Sequence, residues 1–367
     1  MSVLSGIKII EIEGIGPAPF CGMHLADMGA EVVVVERPSA GEPPVGDVGN
    51  ESIYKRNKQI VQLDLKSEAD RAKLLDMIRH ADGLIEGMRP GVMERLGLGP
   101  EVCHHVNPAL AYGRVTGWGQ SGPMSQAAGH DINYIALSGA LWYAGRPGEP
   151  PFAPPTLAGD IGGGALYLTI GMLACLLNAQ RTGQGDVVDA AMVDGSAHMM
   201  NLVLSLRSSG AVENERGKSI LDGPHWFDTY ACSDGKFVSV GALEPHFYKL
   251  LLEKLNVLDN PQYKKQFDKT AWPEQKEAFK ELFATKTQQQ WCEILEGSDA
   301  CFAPVLNPDE SAAHPHMQDR NVYFTNNGHL QAHAAPRFSH SPNQLPHNAE
   351  DGDVSDIIQR WESIKSR

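Results

Sequence analysis

Two short stretches of this chain combine residue types that can move protons. Gly129-His130-Asp131-Ile132-Asn133-Tyr134 sets a histidine and an aspartate just ahead of an apolar helix, and Ala158-Gly-Asp160-Ile-Gly-Gly-Gly164 sets a second aspartate at the start of a long uncharged run. Asp131 reads as an N-cap, which places His130 beside the positive end of the helix dipole. That field favours neutral imidazole, a usable base. Gly162, Gly163 and Gly164 each weaken a helix by about 1 kcal/mol relative to Ala. Three in succession predict that backbone N–H groups come close to a ligand. An aspartate before an apolar helix is most often only a cap, and a lone histidine is most often structural. Two glycine-lined helix starts together predict a pair of facing bases.

Other residues could hold an anion. Arg37 follows Glu36 at the end of an apolar run, a position where α/β sheets bind phosphate; the alternative is a surface arginine paired with a carboxylate. Lys55, Arg56, Lys58, Lys66 and Arg89 add a basic cluster to an acidic chain. It suits a phosphate-rich ligand, although solvated helix faces look the same. Gly14-Ile-Gly16 invites a dinucleotide reading, but Pro19 stands where the third glycine belongs. Cys21, Cys103, Cys175, Cys232, Cys292 and Cys301 form no C-x-x-C pair and no zinc spacing. They read as reduced core thiols of a cytoplasmic protein.

The elements that must position these groups alternate at first. Residues 7–12, 31–36, 61–65, 83–86 and 109–112 read as strands, and 20–28 and 67–80 as helices. Pro17 sits in the first turn of one helix and Ser67 caps the other. Strands alternating with helices predict a doubly wound α/β domain. From residue 129 the pattern turns helical, with long apolar helices over 131–142, 161–180 and 187–207. Residues 208–219 read as a linker. A hairpin over 227–240 with an Asp234-Gly235 turn follows, then charged helices to about residue 296. Residues 307–349 show little periodicity and must wrap a partner surface or lack order. A last helix spans 354–364.

The chain has 367 residues, 42% hydrophobic and 21% charged, enough for one large or two medium domains. Lys and Arg number 31 against 45 Asp and Glu, a net charge of −14. That balance argues against nucleic acid or anionic lipid as partners. The N-terminus has no signal-peptide pattern, and the terminal Lys-Ser-Arg367 is no targeting signal. The uncharged run 161–179 is long enough to cross a bilayer, but it opens with three glycines and has no companion. A fully buried core helix is expected, with no membrane partner.

Leu4-Ser-Gly-Ile-Lys8, Gly16-Pro-Ala-Pro-Phe-Cys-Gly-Met23, Leu25-Ala-Asp-Met-Gly-Ala30, Glu36-Arg-Pro38 and Leu63-Asp-Leu-Lys66 carry a resemblance. So do residues 89–100 and 117–122, and most specifically Gly129–Tyr134, Asp160–Gly164, Leu221-Asp-Gly223 and Gly241-Ala-Leu-Glu-Pro245. On these motifs the chain resembles the α-methylacyl-CoA racemases of the family III CoA-transferase superfamily. The resemblance implies a Rossmann-like α/β large domain, residues 1–207, completed by the C-terminal segment 330–367. A linker, 208–220, and a smaller α+β domain, 221–325, make up the rest. It also implies an interlocked homodimer in which each active site lies between one subunit's large domain and the other's small domain.

By the same resemblance, His130 and Asp160 are the catalytic bases and Glu244 orients the histidine. Arg37, Leu63, Asp64, Leu65, Lys66, Arg89, Gly129, Asp131, Ile132, Asn133 and Tyr134 contact CoA or the thioester. The implied reaction inverts C2 of a 2-methylacyl-CoA by two-base proton transfer through an enolate, as part of lipid metabolism. Backbone N–H groups at the glycine-rich helix starts would stabilise that enolate. The reaction needs no metal and no redox cofactor, CoA being part of the substrate. The superfamily's transferases share the aspartate but generally lack the histidine, which favours the racemase branch. The alternative is a CoA transferase in which Asp160 attacks the acyl-CoA to form a mixed anhydride. A non-catalytic acyl-CoA-binding protein fits less well with an intact His/Asp/Glu set. Glu13 departs from the small residue of the family's first loop.

Overall fold

The computed structural model describes residues 1–38 and 49–365; Ser366 and Arg367, read above as part of a signal-free terminus, lie outside them. The sheet strands are β1 (Lys8–Ile12), β2 (Glu31–Glu36), β3 (Lys58–Gln62), β4 (Gly83–Glu86), β5 (Ala111–Thr116) and β6 (Val187–Ala191). The two-residue strand Glu350–Asp351 joins them in the order Glu350–Asp351, β3, β2, β1, β4, β5, β6. Every pairing is parallel.

Strands covered on both faces need unbroken apolar runs, and the four valines of β2 are all buried. Ile10, Val33 and Leu84 pack on one face with Met77 and Trp361. Ile9, Val32 and Ile85 pack on the other with Leu25, Leu168 and Met172. The strand order reverses at β1. The C-terminal ends of β1 and β4 therefore flank a crevice of the kind where α/β sheets bind ligands.

By its internal packing the chain divides into two compact units. The first comprises Met1–Trp142, Ala153–Met200 and Phe324–Arg367; the second comprises Tyr143–Phe152 and Asn201–Tyr323. Residues 201–207, expected in the large domain, and 208–220, expected as a linker, fall within the second. That unit holds an antiparallel sheet of Phe227–Ala231, Phe237–Gly241 and Phe302–Val305. Its core gathers Trp226, Phe279, Phe283 and Trp291. The expected hairpin forms; the third strand was not foreseen, because its sequence offers only four residues.

Several helical expectations need correction. Residues 187–207 are not one helix but β6 followed by Met192–Met199 and Asn201–Ser208. The Val187–Ala191 stretch pairs with Tyr112–Thr116, and short apolar runs suit either state. The helix from residue 131 stops at Ser138, because Gly139 takes a left-handed φ of 87°. The first helix starts at Pro17, the residue expected in its first turn. The uncharged run is a wide, π-type turn over Leu157–Ala165 leading into an α-helix over Leu166–Thr182. Together, Leu157–Thr182 is the one helical stretch among the described residues long and apolar enough to cross a membrane. It is not fully buried, since Ile170 is 63% and Leu177 69% exposed.

The tail is ordered. It forms helices Pro308–Ala313 and Pro315–Asp319, a hairpin of Tyr323–Asn326 with His329–Ala332, and the Glu350–Asp351 strand. Its order comes from bonds across long sequence separations. Arg56 Nη1 donates to the Ala332 carbonyl at 2.8 Å while its other nitrogens grip buried Asp27. The Asn57 N–H donates to the His347 carbonyl at 3.0 Å, and the Gln344 N–H to that of Asp27 at 2.8 Å.

Candidate active site

The loops after β1, β4 and β5 meet the start of the Asp131–Ser138 helix around a cavity of about 250 Å³. Ile15, Pro17, Gly87–Pro90, Val115–Trp118, Gly129, His130, Tyr134 and Met192 line it. It lies at the sheet's switch point, where strand order alone places a ligand. Buried Glu86 shapes one wall: its carboxylate accepts the Met88 N–H at 2.6 Å and Arg114 Nε at 2.8 Å. Burial raises the Glu86 carboxyl, opposed by those bonds. The loop carrying Arg89 is thereby tied to the end of its strand.

His130, not Asp131, is the N-cap of the helix, and its exposed ring stands at the cavity's edge. The Asn133 side chain accepts the His130 N–H at 3.0 Å, which fixes the backbone that aims the ring. Tyr134 is buried, and its hydroxyl donates to the Gly129 carbonyl. A Cβ on Gly117 would stand 2.1 Å from the Tyr134 ring, so glycine there makes room for it. Tyr134 thus packs behind the Gly129–His130 segment. Ile132 is exposed.

Asp131 occupies the helix's first turn and is 6% exposed. Its Oδ1 accepts the N–H groups of Gly159 at 2.6 Å and Asp160 at 2.7 Å. The two glycine-lined starts are therefore one body. Asp160 is partly buried, and a Cβ on Gly16 would lie 3.9 Å from its Oδ2. Burial, then the neighbouring Asp131 charge, pushes the Asp160 carboxyl up to about 6, while His130 draws it down. Tyr134 is raised by burial and by Asp160. Sequence reasoning found both aspartates but missed the bond from the Asp131 carboxylate to the residue 160 amide, which no sequence signal marks.

Packing alone calls for glycine in this turn. A Cβ on Gly163 would meet Ser196 Oγ at 2.5 Å, and one on Gly164 would meet Met192 Cγ at 2.8 Å. A Cβ on Gly195 would fall 1.9 Å from the Gly163 carbonyl oxygen. The turn and the Met192–Met199 helix approach to backbone distance, which only glycines allow.

The remaining expected ligand residues lie elsewhere. Arg37 follows β2, its side chain is 81% exposed, and its Nε sits 3.4 Å from Glu13 Oε2. The pairing with a carboxylate is the bland alternative weighed above. Leu63 and Leu65 point into the core, while Asp64 Oδ1 accepts the Lys66 N–H at 2.9 Å and Lys66 is exposed. Glu244 belongs to the second unit, where it is the exposed N-cap of the Pro245–Lys254 helix. Among the described residues, no three of His, Cys, Asp and Glu group as metal ligands.

The profile of CoA-transferase family III matches residues 4–349. An alpha-methylacyl-CoA racemase of Mus musculus is 43% identical over 342 residues, 93% of this chain and 87% of the mouse protein. Its Homo sapiens counterpart is 42% identical over 323 residues, 88% of this chain and 82% of the human protein. A crystal structure of a hypothetical protein from Mycobacterium tuberculosis shares the fold at a TM-score of 0.79 and 24% identity, covering 98% of this chain and 99% of its own. On this profile match and these identities, the chain belongs to CoA-transferase family III.

Proposed function

We propose that the chain is a racemase that inverts C2 of 2-methylacyl-CoA thioesters by proton transfer through an enolate. One observation carries the reading: the partly buried Asp160 is tied by its backbone to Asp131, the residue next to His130 at the edge of the switch-point cavity, so two proton-transfer groups share one site. The similarity to two relatives named as alpha-methylacyl-CoA racemases supports it. Inversion needs a base on one face of C2 and an acid on the other. In one direction neutral His130 takes the C2 proton, the C–H electron pair becomes the enolate, and protonated Asp160 delivers a proton to the opposite face. The pair holds one proton before and after, moved from aspartate to histidine, and the reverse reaction moves it back. A carboxyl raised towards neutral pH suits both roles, and general acid–base groups typically contribute about 10²–10⁴ in rate.

The enolate oxygen needs donors. The Gly159 and Asp160 N–H groups are occupied by Asp131, so the donors are the first-turn N–H groups of Asp131 and Ile132, which have no helical partner. Arg89 in the cavity wall, and Arg37 and Lys66 at neighbouring strand ends, supply charge for the phosphates of CoA. The chain works as a homodimer in this reading, with Glu244 of one copy orienting His130 of the other. Exposed Ile132, Leu137, Ile170 and Leu177 on the first unit support a covering partner. Incubation with a 2-methylacyl-CoA in D₂O tests the reaction: deuterium should enter C2 of both hands without any acceptor acid. Acyl transfer between CoA and free acids without C2 exchange would establish the transferase chemistry instead.

A further inference from the structure

We propose that the Asp131 side chain is a positioning group that locks the two proton-transfer residues into one geometry through a single carboxylate oxygen, and is not itself a contact to the substrate. This rests on the racemase reading. Its Oδ1 takes both the Gly159 and the Asp160 N–H, at 2.6 and 2.7 Å, and the side chain is 6% exposed. Asp131 is not among the residues that line the cavity, and its buried carboxylate is turned onto the amides of the wide turn. A Cβ on Gly159 would lie 2.7 Å from that same oxygen, so the turn's own backbone closes over it.

The bond joins two elements that carry different halves of the chemistry. Asp131 immediately follows His130 at the start of one helix, and it holds the backbone of Asp160 at the start of the wide turn. The turn is glycine-rich, and its Ile161 N–H reaches back to the Thr156 carbonyl at 3.2 Å. The Asp131 tie supplies what the glycines remove. The titratable groups facing Asp160 are Asp131, His130 and Tyr134, from the Asp131–Ser138 helix and the residue that caps it. Of these Asp131 is the like charge, so it also favours the protonated form of Asp160.

Charge and geometry separate by substitution. Asp131→Asn keeps an Oδ1 acceptor and loses the charge. With the enantiomer for which Asp160 is the base, the acidic limb of its kcat/KM–pH profile should move to lower pH, by about 0.5–1 unit, with KM little changed. Asp131→Glu keeps the charge and misplaces the acceptor, so kcat should fall by about 10²-fold, the cost of a displacement on the order of 1 Å, with the limb unmoved. Wild type, Asn and Glu variants are assayed together by deuterium incorporation at C2, with circular dichroism to establish folding. If either variant fails to fold, the other decides alone. Wild-type exchange with an unmoved limb in the Asn variant, or with undiminished kcat in the Glu variant, overturns this role. So does a KM rise of 10-fold or more at unchanged kcat in either variant, which marks a substrate contact. Absence of exchange in the wild type overturns the racemase reading and this inference with it.

Discussion

Replacing Asp160 by Asn should destroy inversion and stabilise the fold at the same time. The Asn backbone still donates to Asp131 Oδ1, so the turn keeps its tie. The amide cannot exchange a proton, and inversion should fall by at least about 10²-fold. The stability gain follows from linkage. The folded carboxyl titrates at about 6 against an ordinary 3.8, chiefly through burial. A raised folded pKa stabilises fully below the unfolded value and loses that contribution as pH rises through about 6. A shift of roughly 2 units corresponds to about 3 kcal/mol, reduced by solvent at this partly exposed site to about 1–2 kcal/mol. Wild type and variant should therefore unfold alike at pH 4 and diverge between pH 4 and 7. Above that the variant should lead by roughly 2–4 °C per kcal/mol. Calorimetry across pH 4–8, paired with chiral analysis of C2 exchange, measures both. A variant less stable than wild type at pH 8, or one that retains a tenth of wild-type inversion, would refute the assignment of Asp160 as a buried proton carrier.

His130→Ala should also abolish inversion but retain slow exchange of the one enantiomer whose C2 proton faces Asp160; chiral separation after D₂O incubation reads which hand survives, and Asp160→Asn should leave the other. Arg89→Ala should weaken CoA-ester binding by about 10- to 150-fold, the loss of a charge-assisted bond of about 1.5–3 kcal/mol. Arg37→Ala should cost less, because Glu13 already engages that exposed side chain; calorimetric titration ranks the two. Gly195→Ala should destabilise by about 1–3 kcal/mol, read as a fall in Tm, since the new methyl meets the Gly163 carbonyl.

Much of the sheet was legible because parallel strands buried on both faces must be apolar throughout. Val32–Val35 permits little else, and Pro17 marks the following helix start. The proton-transfer candidates were legible as polar groups at apolar helix starts. What failed shares a cause: the deciding partner lies far off in sequence. Residues 187–191 look helical until β5 offers its edge. Gly162–Gly164 suggest a ligand until the Met192–Met199 helix is seen against them. The bond from Asp131 to residue 160 has no local signature beyond a buried carboxylate. The tail lacks periodicity because its backbone is satisfied by Arg56, Asn57 and Asp27 rather than by its own neighbours.

That tail also sets an order of assembly. During synthesis β3 emerges early, yet its outer edge is paired only when Glu350–Asp351 arrives, after the whole of the second unit has been made. Until then the nascent chain presents an open strand edge, with Asp27 and Arg56 waiting for the segment that covers them. An open edge recruits any available strand. A ribosome stalled before residue 324 would therefore release a species prone to edge-to-edge aggregation. The pairing of Glu350–Asp351 with β3 is thus the late step that closes this side of the sheet.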